Sequence, residues 1–219
     1  FVNFEDFKAE IKKKHDELGE EPSWFFSGYD CDSLALESLT GFAQEFIPFF
    51  RELPNSWLEL RTKSIASQVL ERTDPLDNAV VAFSFTPEEI SQQLEHKVPS
   101  VQSRIKAMEK LAALGWKIGL RIDPIIDCVD FDARYAKLFN QLIAALPAHS
   151  LHSVSLGAFR MPTGFFRSIQ KLYPKEPLFS GKLEKKDGSI SYRAEIERER
   201  ISTCRSLLLS HIPIEKLFL

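Results

Sequence analysis

Polar and charged side chains gather in this sequence where its strand-like apolar runs end. In parallel sheets and barrels the carboxyl ends of the strands lie on one side, so side chains at these positions are expected to surround one cavity. Burying so many charges is costly unless they face a charged ligand or one another, so the positions predict either a ligand site or mutual ion pairs. The positions are Ser27-Gly28-Tyr29-Asp30, Arg61-Thr62-Lys63-Ser64, Ser84, Arg121, Asp123 and Arg160.

Three of these positions have more than one interpretation. Lys63 suits either an anionic ligand or a salt bridge with an aspartate at the rim of the sheet. Ser84 suits either ligand binding or close packing, for which a small residue is enough. Asp123 precedes Pro124, so a turn is sufficient to account for it.

Cysteine and histidine form no recognisable metal or hydrolase motif in the sequence. Cys31, Cys128 and Cys204 are too far apart to indicate a metal-ligand cluster, and the five histidines are scattered. Cys31 and Cys128 follow strand-like runs, yet a free cysteine is most often a small buried apolar residue. With only three cysteines and no disulfide framework, a cytoplasmic, reducing compartment is expected.

The elements that must position these residues alternate between strand and helix. That order predicts a parallel sheet with right-handed crossovers in a single α/β domain over residues 1–219. The expected strands are Ser23–Tyr29, Trp57–Lys63, Ala79–Phe85, Trp116–Asp123, Leu151–Phe159 and Ile214–Leu219, with two more in a hairpin at Asp187-Gly188. The expected helices are Phe4–Leu18, Leu39–Leu53, Pro87–Leu94 with Thr86 as cap, 100–114, Phe131–Leu146, Pro162–Leu172 and Ala194–Ser210.

The strand faces distinguish a barrel from a doubly wound sheet. Each strand has one apolar face and one polar or small face: in Trp57–Lys63, for example, Glu59, Arg61 and Lys63 oppose Leu58 and Leu60. A sheet covered by helices on both faces has nearly continuous apolar strands instead. We therefore expect an open or partial β/α barrel with a polar lumen, and a two-layer sheet with one solvent face is the alternative.

Composition limits the partners. The chain has 219 residues and a net charge of −3, which provides no overall attraction to nucleic acid or anionic lipid, although a local basic patch remains compatible with it. No apolar run approaches the ~18 residues needed to cross a bilayer, so no membrane association is expected. Because the chain starts at Phe1 within an apparent fold and ends just after a strand-like run, we expect it to be a fragment of a longer protein.

Four stretches of the sequence form a familiar pattern. They are DSLALESLTGFAQEFIPFF (Asp32–Phe50), LELRTKS (Leu58–Ser64), VVAFSFTPEEISQQLEHKVPSVQSRIKAMEKLAALGWKIGLRIDPII (Val80–Ile126) and SVSLGAFRMP (Ser153–Pro162). In this order they resemble the spore photoproduct lyase family of the radical S-adenosylmethionine superfamily. The resemblance extends from Phe1 to about Arg200.

The resemblance implies a partial (β/α)6 barrel, of which this chain lacks the first strand and the cluster loop. In the family a 4Fe–4S cluster is held by Cys-x3-Cys-x2-Cys, and these cysteines are expected upstream of Phe1, so no metal site is expected in this chain. S-adenosylmethionine is cleaved there by one electron to a 5′-deoxyadenosyl radical, which in spore photoproduct lyase reverses a thymine dimer in DNA. The implied partners are DNA and a reductant such as flavodoxin or ferredoxin.

Individual residues take their expected roles from this resemblance. Lys63 matches a lysine that pairs with the methionine carboxylate of the cofactor, and Ser84 matches a serine that hydrogen-bonds the cofactor. Ser27-Gly28-Tyr29 falls on a cofactor-contacting loop. Arg160 lies in a stretch similar to one with substrate-contacting groups. Cys31 is the candidate hydrogen-atom donor, because the family's donor cysteine aligns two residues away.

One departure from the family leaves other functions open. Many members have Gly-Glu where this chain has Gly28-Tyr29, and that glutamate receives the amine of the cofactor. A divergent, non-catalytic relative that binds a nucleotide-like ligand is therefore an alternative. The residue pattern alone also allows a metal-dependent barrel hydrolase or isomerase that uses Asp30, Asp32 and Asp123.

Overall fold

Helices and strands alternate along the chain, of which the computed structural model describes residues 3–28 and 31–219. The helices are α1 Phe4–Leu18, α2 Glu37–Thr40, α3 Phe42–Arg51, α4 Gln68–Glu71, α5 Glu88–Leu94, α6 Val101–Ala113, α7 Phe131–Ala144, α8 Thr163–Leu172 and α9 Ala194–Leu209. The strands are β1 Ser23–Ser27, β2 Ser56–Thr62, β3 Ala79–Ser84, β4 Lys117–Ile125, β5 Leu151–Ala158, β6 Arg160–Pro162, β7 Leu183–Lys186, β8 Ser189–Tyr192 and β9 Leu217–Phe218. Within these described ranges, no helix combines the length and apolarity needed to cross a bilayer.

Six strands form one parallel sheet in the order β1-β2-β3-β4-β5-β9. Parallel neighbours require a crossover connection, and the helices between successive strands provide it. The sheet curls into a partial barrel with the helices outside. This confirms the α/β partial barrel predicted from the strand faces, and it is not the two-layer sheet that the pattern also allowed.

The convex face of the sheet holds the main core. Outward-facing residues of the strands, such as Leu60, Phe83 and Leu120, are at most 1% exposed and pack against the helices. The helices meet them with their apolar stripes, as α3 does with Ile47 and Phe50. This alternation of strand side chains leaves the concave face to polar and small residues.

Strand register arranges the concave face in rows. The rows contain Glu59, Val80 and Lys117; then Arg61, Ala82 and Gly119; then Ser84 and Arg121. Lys63 follows the last paired residue of β2 and therefore extends the third row beside Ser84. The third row lies at the carboxyl ends of β2 and β3.

A buried ion pair fills the lower part of the lumen. The Nη2 and Nε atoms of Arg121 donate to the two carboxylate oxygens of Glu59 at 2.6 and 3.0 Å, and Nη2 also donates to Ser153 Oγ at 3.1 Å. Glu59 is 2% exposed and Arg121 is 5% exposed. The side chain of Arg121 passes over Gly119, where an added Cβ would lie 2.8 Å from the guanidinium. Arg121, predicted at the rim, therefore belongs to the interior.

A second, smaller sheet lies beyond β5. Its antiparallel strands have the order β6-β8-β7, and the hairpin turns at Asp187-Gly188 as predicted. A separate cluster that includes Phe159, Tyr192 and Ile196 packs beneath it. The Tyr192 hydroxyl accepts a hydrogen bond from the Asp127 N–H at 3.0 Å, and burial raises the pKa of Tyr192 to about 12. This contact fastens the small sheet to the chain just after β4.

The structure corrects several local predictions. Helix α5 begins at Glu88, so Pro87 and not Thr86 occupies its N-cap position, without a side-chain cap, and the hydroxyl of Thr86 donates to Glu95 at 3.2 Å. The helix expected over Leu39–Leu53 is divided at Gly41, whose φ is +61°.

Two strand predictions also change. The sequence pattern does not predict strand β6, because three residues that end in a proline show no alternation of polar and apolar side chains. Of the run Ile214–Leu219, only Leu217 and Phe218 pair with β5.

Removing one member of the Glu59–Arg121 pair should destabilise the fold strongly. Arg121→Met leaves the buried Glu59 carboxylate with only Arg61, whose Nη2 lies 3.2 Å from Oε1, as a charged partner, and we expect the free energy of unfolding in urea to fall by up to about 3–5 kcal/mol at neutral pH. The double variant Glu59→Gln/Arg121→Met should recover most of that loss. Equal stability of the wild type and Arg121→Met would contradict a structural role for the pair.

The same pair should make the fold sensitive to acid. Burial opposes ionisation of Glu59, but hydrogen bonding and charge from Arg121, with a smaller contribution from Arg61, outweigh it and hold the pKa of Glu59 below its ordinary value. A lowered folded pKa means that the stabilisation is complete above the ordinary glutamate pKa and disappears as pH falls through the lowered one. In urea unfolding, the stability of the wild type relative to the double variant, in which residue 59 does not titrate, should therefore fall as the pH drops through that range.

Candidate functional site

A cavity of about 980 Å³ opens at the carboxyl ends of the strands. It is bounded by the end of β2, the last residues of β4 and the start of the small sheet. Its lining includes the predicted residues Gly28, Cys31, Arg61, Lys63, Ser84, Asp123 and Arg160. The structure thus brings most of the predicted strand-end residues together around one space.

Asp32, in the loop after β1, anchors residues 32–35 of that loop. Its Oδ1 accepts hydrogen bonds from the N–H groups of Leu34 and Ala35 and from Thr62 Oγ1, and its Oδ2 accepts one from the Lys63 N–H at 2.6 Å. The carboxylate therefore joins this loop to the end of β2.

Gly28 is required where this loop leaves β1. Its φ is +84°, and an added Cβ would lie 2.6 Å from both the carbonyl oxygen of Arg61 and Ser33 Oγ. A residue with a side chain would have to push the loop away from β2.

Lys63 lies beside Ser84 on the same side of the sheet, as predicted for adjacent strand ends. Its ammonium is 2.6 Å from Glu95 Oε1. The salt bridge that the sequence left open is thus present, but with a glutamate from the segment after α5 instead of an aspartate. The side chain of Lys63 remains 31% exposed, so it is also accessible from the cavity.

Glu95, like Asp32, is a carboxylate near the cavity that accepts four hydrogen bonds. It accepts hydrogen bonds from Lys63 and Thr86 on one oxygen and from Ser91 and Arg104 on the other. Burial raises its pKa, but the charges of Lys63 and Arg104 outweigh this and hold the pKa of Glu95 below its ordinary value. The carboxylate is therefore ionised at neutral pH.

Sequence reasoning missed Glu95 and Arg104. Arg104 is completely buried and donates to the Ser84 carbonyl oxygen at 2.9 Å and to Glu95 at 2.8 Å. A signal was present: Val101, Arg104, Ile105 and Met108 have helical spacing, which places a charged residue on the apolar face of α6. A charge on such a face requires a buried partner.

Asp123 is half-buried and lines the cavity instead of forming only a turn. Strand β4 continues through it to Ile125. Its carboxylate lies against Gly157, where an added Cβ would be 2.6 Å from Oδ1. The absence of a side chain at residue 157 therefore makes room for this carboxylate at the mouth.

The remaining predicted residues differ in placement. Ser27 accepts a hydrogen bond from Ser33 Oγ at 3.1 Å and is not among the described lining residues. Tyr29 and Asp30 lie outside the described residues. Cys31 is exposed at the cavity, whereas burial raises the pKa of Cys128 and Cys204.

The described ranges 3–28 and 31–219 contain no group of three side chains arranged to hold a metal ion. Asp32 already accepts four hydrogen bonds from the protein. Of the three aspartates in the metal-dependent hydrolase or isomerase alternative, Asp30 lies outside the described residues, and Asp32 and Asp123 are not part of such a group among the described ones.

The fold and the cavity define a partial β/α-barrel protein with a polar binding site at the carboxyl ends of its strands. The family model described as "Spore photoproduct lyase" matches residues 1–193. The chain therefore belongs to the spore photoproduct lyase family.

Individual relatives agree with this assignment. A spore photoproduct lyase from Geobacillus sp. (strain Y412MC61) is 25% identical over 224 residues, which covers 97% of this chain and 65% of the relative. One from Bacillus subtilis (strain 168) is 26% identical, covering 81% of this chain and 53% of the relative. This chain thus spans less than two thirds of the length of these curated relatives.

Solved structures of the family support the fold. A spore photoproduct lyase mutant with bound AdoMet and dinucleoside spore photoproduct matches with a TM-score of 0.86 and 23% identity. The match covers 100% of this chain and 66% of that one. A second mutant structure has the same TM-score, identity and coverage. At this level of identity the likeness establishes the partial-barrel fold.

Gly28→Ala should perturb the site more than the same change at a glycine in open space. Both Gly28 and Gly188 have φ above +80°, but an added Cβ at Gly188 would have no neighbour within 4 Å. We expect Gly188→Ala to lower the free energy of unfolding by roughly 1–2 kcal/mol through backbone strain. Gly28→Ala should cost roughly 1–3 kcal/mol more because the loop must move. If the two variants lose the same free energy of unfolding in urea, the close approach of Gly28 to β2 does not contribute to the cost of the substitution.

Proposed function

We propose that the full-length protein binds S-adenosylmethionine in the 980 Å³ cavity and cleaves it reductively, for repair of a thymine photolesion in DNA. The supporting observation is the placement of Lys63 beside Ser84 at the mouth of the cavity, in a chain of the spore photoproduct lyase family. When bound, S-adenosylmethionine would supply a 5′-deoxyadenosyl radical after accepting one electron.

The charges at the mouth fit the methionine end of this cofactor. Lys63, Glu95 and Arg104 together have one net positive charge, and Lys63 is the member that lines the cavity. An ammonium has three N–H donors, so Lys63 can bond a ligand carboxylate while it remains bonded to Glu95. The Ser84 hydroxyl, one strand away, supplies a further polar contact.

The described residues do not fit a 4Fe–4S cluster. Cys31 is exposed, Cys204 is buried in α9, and the residues described include no group of three metal ligands. In this proposal the cluster is held by cysteines upstream of Phe1, and a flavodoxin or ferredoxin supplies the electron. The part assigned to this chain is to bind the cofactor and to shield it within the barrel.

Cys31 is proposed as the hydrogen-atom donor. Its side chain is exposed and lines the cavity, whereas Cys204 is buried. Asp32, the next residue, accepts a hydrogen bond from the Lys63 N–H at 2.6 Å, so a thiol at residue 31 would remain near the mouth.

A basic surface beside the mouth supports a DNA substrate. Lys185 and Lys186 of the small sheet and Lys182 just before it are exposed to solvent, and Arg160 on β6 is exposed and lines the cavity. Exposed Arg167, Lys171 and Lys175 lie on or just after α8. A protein of net charge −3 can attract phosphates through such a local patch.

Lys63→Ala should weaken binding of S-adenosylmethionine to the full-length protein. Loss of a partner from a partly desolvated charge pair costs about 2–5 kcal/mol, or roughly 30- to several-thousand-fold in affinity at about 1.4 kcal/mol per tenfold. Calorimetric titration measures this directly. Lys63→Arg should not restore full affinity, because the guanidinium is planar and bulkier than an ammonium.

The matched control is Lys110→Ala, which removes an exposed lysine paired with Glu71 on the outer surface. It should leave the affinity unchanged. If Lys63 serves only as a salt bridge at the rim, its loss should cost at most ~1 kcal/mol of stability and leave binding intact. Equal affinity of the wild type and Lys63→Ala would therefore refute the assigned role.

Substitution of two hairpin lysines should weaken DNA binding in a salt-dependent way. We expect Lys185→Ala/Lys186→Ala to bind short duplexes more weakly at low salt and to lower the slope of log affinity against log salt by about 2. Lys13→Ala/Lys14→Ala on α1 removes the same charge elsewhere and is the control. Identical slopes for the two double variants would contradict a DNA-binding hairpin.

A further inference from the structure

We propose that Glu95 and Arg104 are positioning residues that hold the Lys63 ammonium where it meets the carboxylate of S-adenosylmethionine. The inference rests on the proposed function, because it concerns the same carboxylate-binding lysine. Neither residue is among the described residues that line the cavity, so both would act through Lys63.

Lys63 is fixed at both ends. Its backbone N–H donates to Asp32 Oδ2 at 2.6 Å, and its ammonium donates to Glu95 Oε1 at 2.6 Å. A free lysine side chain loses considerable rotamer entropy when it binds a ligand. A lysine that is already ordered avoids much of this loss, so the contact with Glu95 should increase affinity for the ligand.

Glu95 can serve as an anchor because it is itself immobile. Its side chain is 9% exposed, and Thr86, Ser91 and Arg104 donate to it in addition to Lys63. These donors come from the end of β3, from α5 and from α6. The carboxylate is therefore fixed by three separate parts of the fold.

Arg104 joins this anchor to the neighbouring strand. Its Nη2 donates to Glu95 Oε2 at 2.8 Å, and its Nη1 donates to the carbonyl oxygen of Ser84 at 2.9 Å. A single buried guanidinium thus sets the spacing between Ser84 and the carboxylate that holds Lys63.

The charge balance leaves Lys63 available to an anion. Glu95 offsets one of the two positive charges, and the remaining one is accessible only through Lys63, since Arg104 is 0% exposed and Lys63 is 31% exposed. One of the three ammonium protons points to Glu95, so two remain for a carboxylate.

A purely electrostatic role for Glu95 would have the opposite consequence. If Glu95 only reduced the positive potential near Lys63, then its neutralisation would strengthen the attraction of an anionic ligand. If it positions Lys63, then its neutralisation should weaken binding. The sign of the change in affinity separates the two roles.

The experiment compares two ligands on the full-length protein by calorimetric titration. S-adenosylmethionine has the carboxylate, and decarboxylated S-adenosylmethionine lacks it. We expect Glu95→Gln and Glu95→Asp each to bind S-adenosylmethionine about tenfold more weakly and to bind the decarboxylated ligand within about twofold of the wild type. Glu95→Asp retains the charge but shortens the arm, and in a Lys63→Ala background it should cause no further loss.

Glu71→Gln is the control, since Glu71 also pairs with a lysine and accepts a serine hydroxyl, but on the outer surface. It should change neither affinity. If Glu95→Gln does not fold because Arg104 lacks a counter-charge, then Glu95→Asp decides alone. Unchanged or tighter binding of S-adenosylmethionine by the folded variants would overturn the positioning role, as would equal weakening of both ligands. A wild type that does not distinguish the two ligands would instead refute the proposed role of Lys63 itself.

Discussion

The concave face of a barrel can hold charged side chains only where each charge finds a partner, and in this fold the Glu59–Arg121 pair meets that condition. The pair connects β2 to β4 across β3, whose inner residues are Val80 and Ala82. Arg121 reaches Glu59 because Gly119 leaves space beneath its guanidinium. The Glu59–Arg121 ion pair therefore fills the lower lumen, and the absence of a side chain at Gly119 makes room for it.

The upper lumen is open because Arg121 turns away from it. By register Arg121 belongs to the row that contains Ser84, and an upward-pointing guanidinium would compete with Lys63 for the same anion. Its engagement with Glu59 leaves Lys63 as the exposed cation of that row, and a second carboxylate, Glu95, holds Lys63. Glu59 thus keeps Arg121 in the interior of the barrel, and Glu95 holds Lys63 at the cavity.

The sequence predicted the strands well because alternation is a local property. The polar faces of β2 and β4 could be recognised without any knowledge of their partners. Ion pairs between distant residues could not be recognised in this way. Lys63 and Glu95 are 32 residues apart, and the sequence indicated only that Lys63 needed an anion. Arg104 left a local trace, a charge on an apolar helix face, but its ties to Ser84 and Glu95 exist only after α6 packs on the sheet.

The two ends of the cavity rest on different hydrophobic clusters. Lys63 and Ser84 lie at strand ends whose neighbours belong to the main core, whereas Arg160 and the hairpin rest on the smaller cluster around Phe159 and Tyr192. The hydrogen bond from Asp127 to Tyr192 is a defined link between them. Substitutions on the exposed face of the hairpin therefore need not disturb the row that contains Lys63. A fold of this kind can keep one end of its cavity unchanged while the residues of the opposite rim vary, because the two ends are stabilised by different contacts.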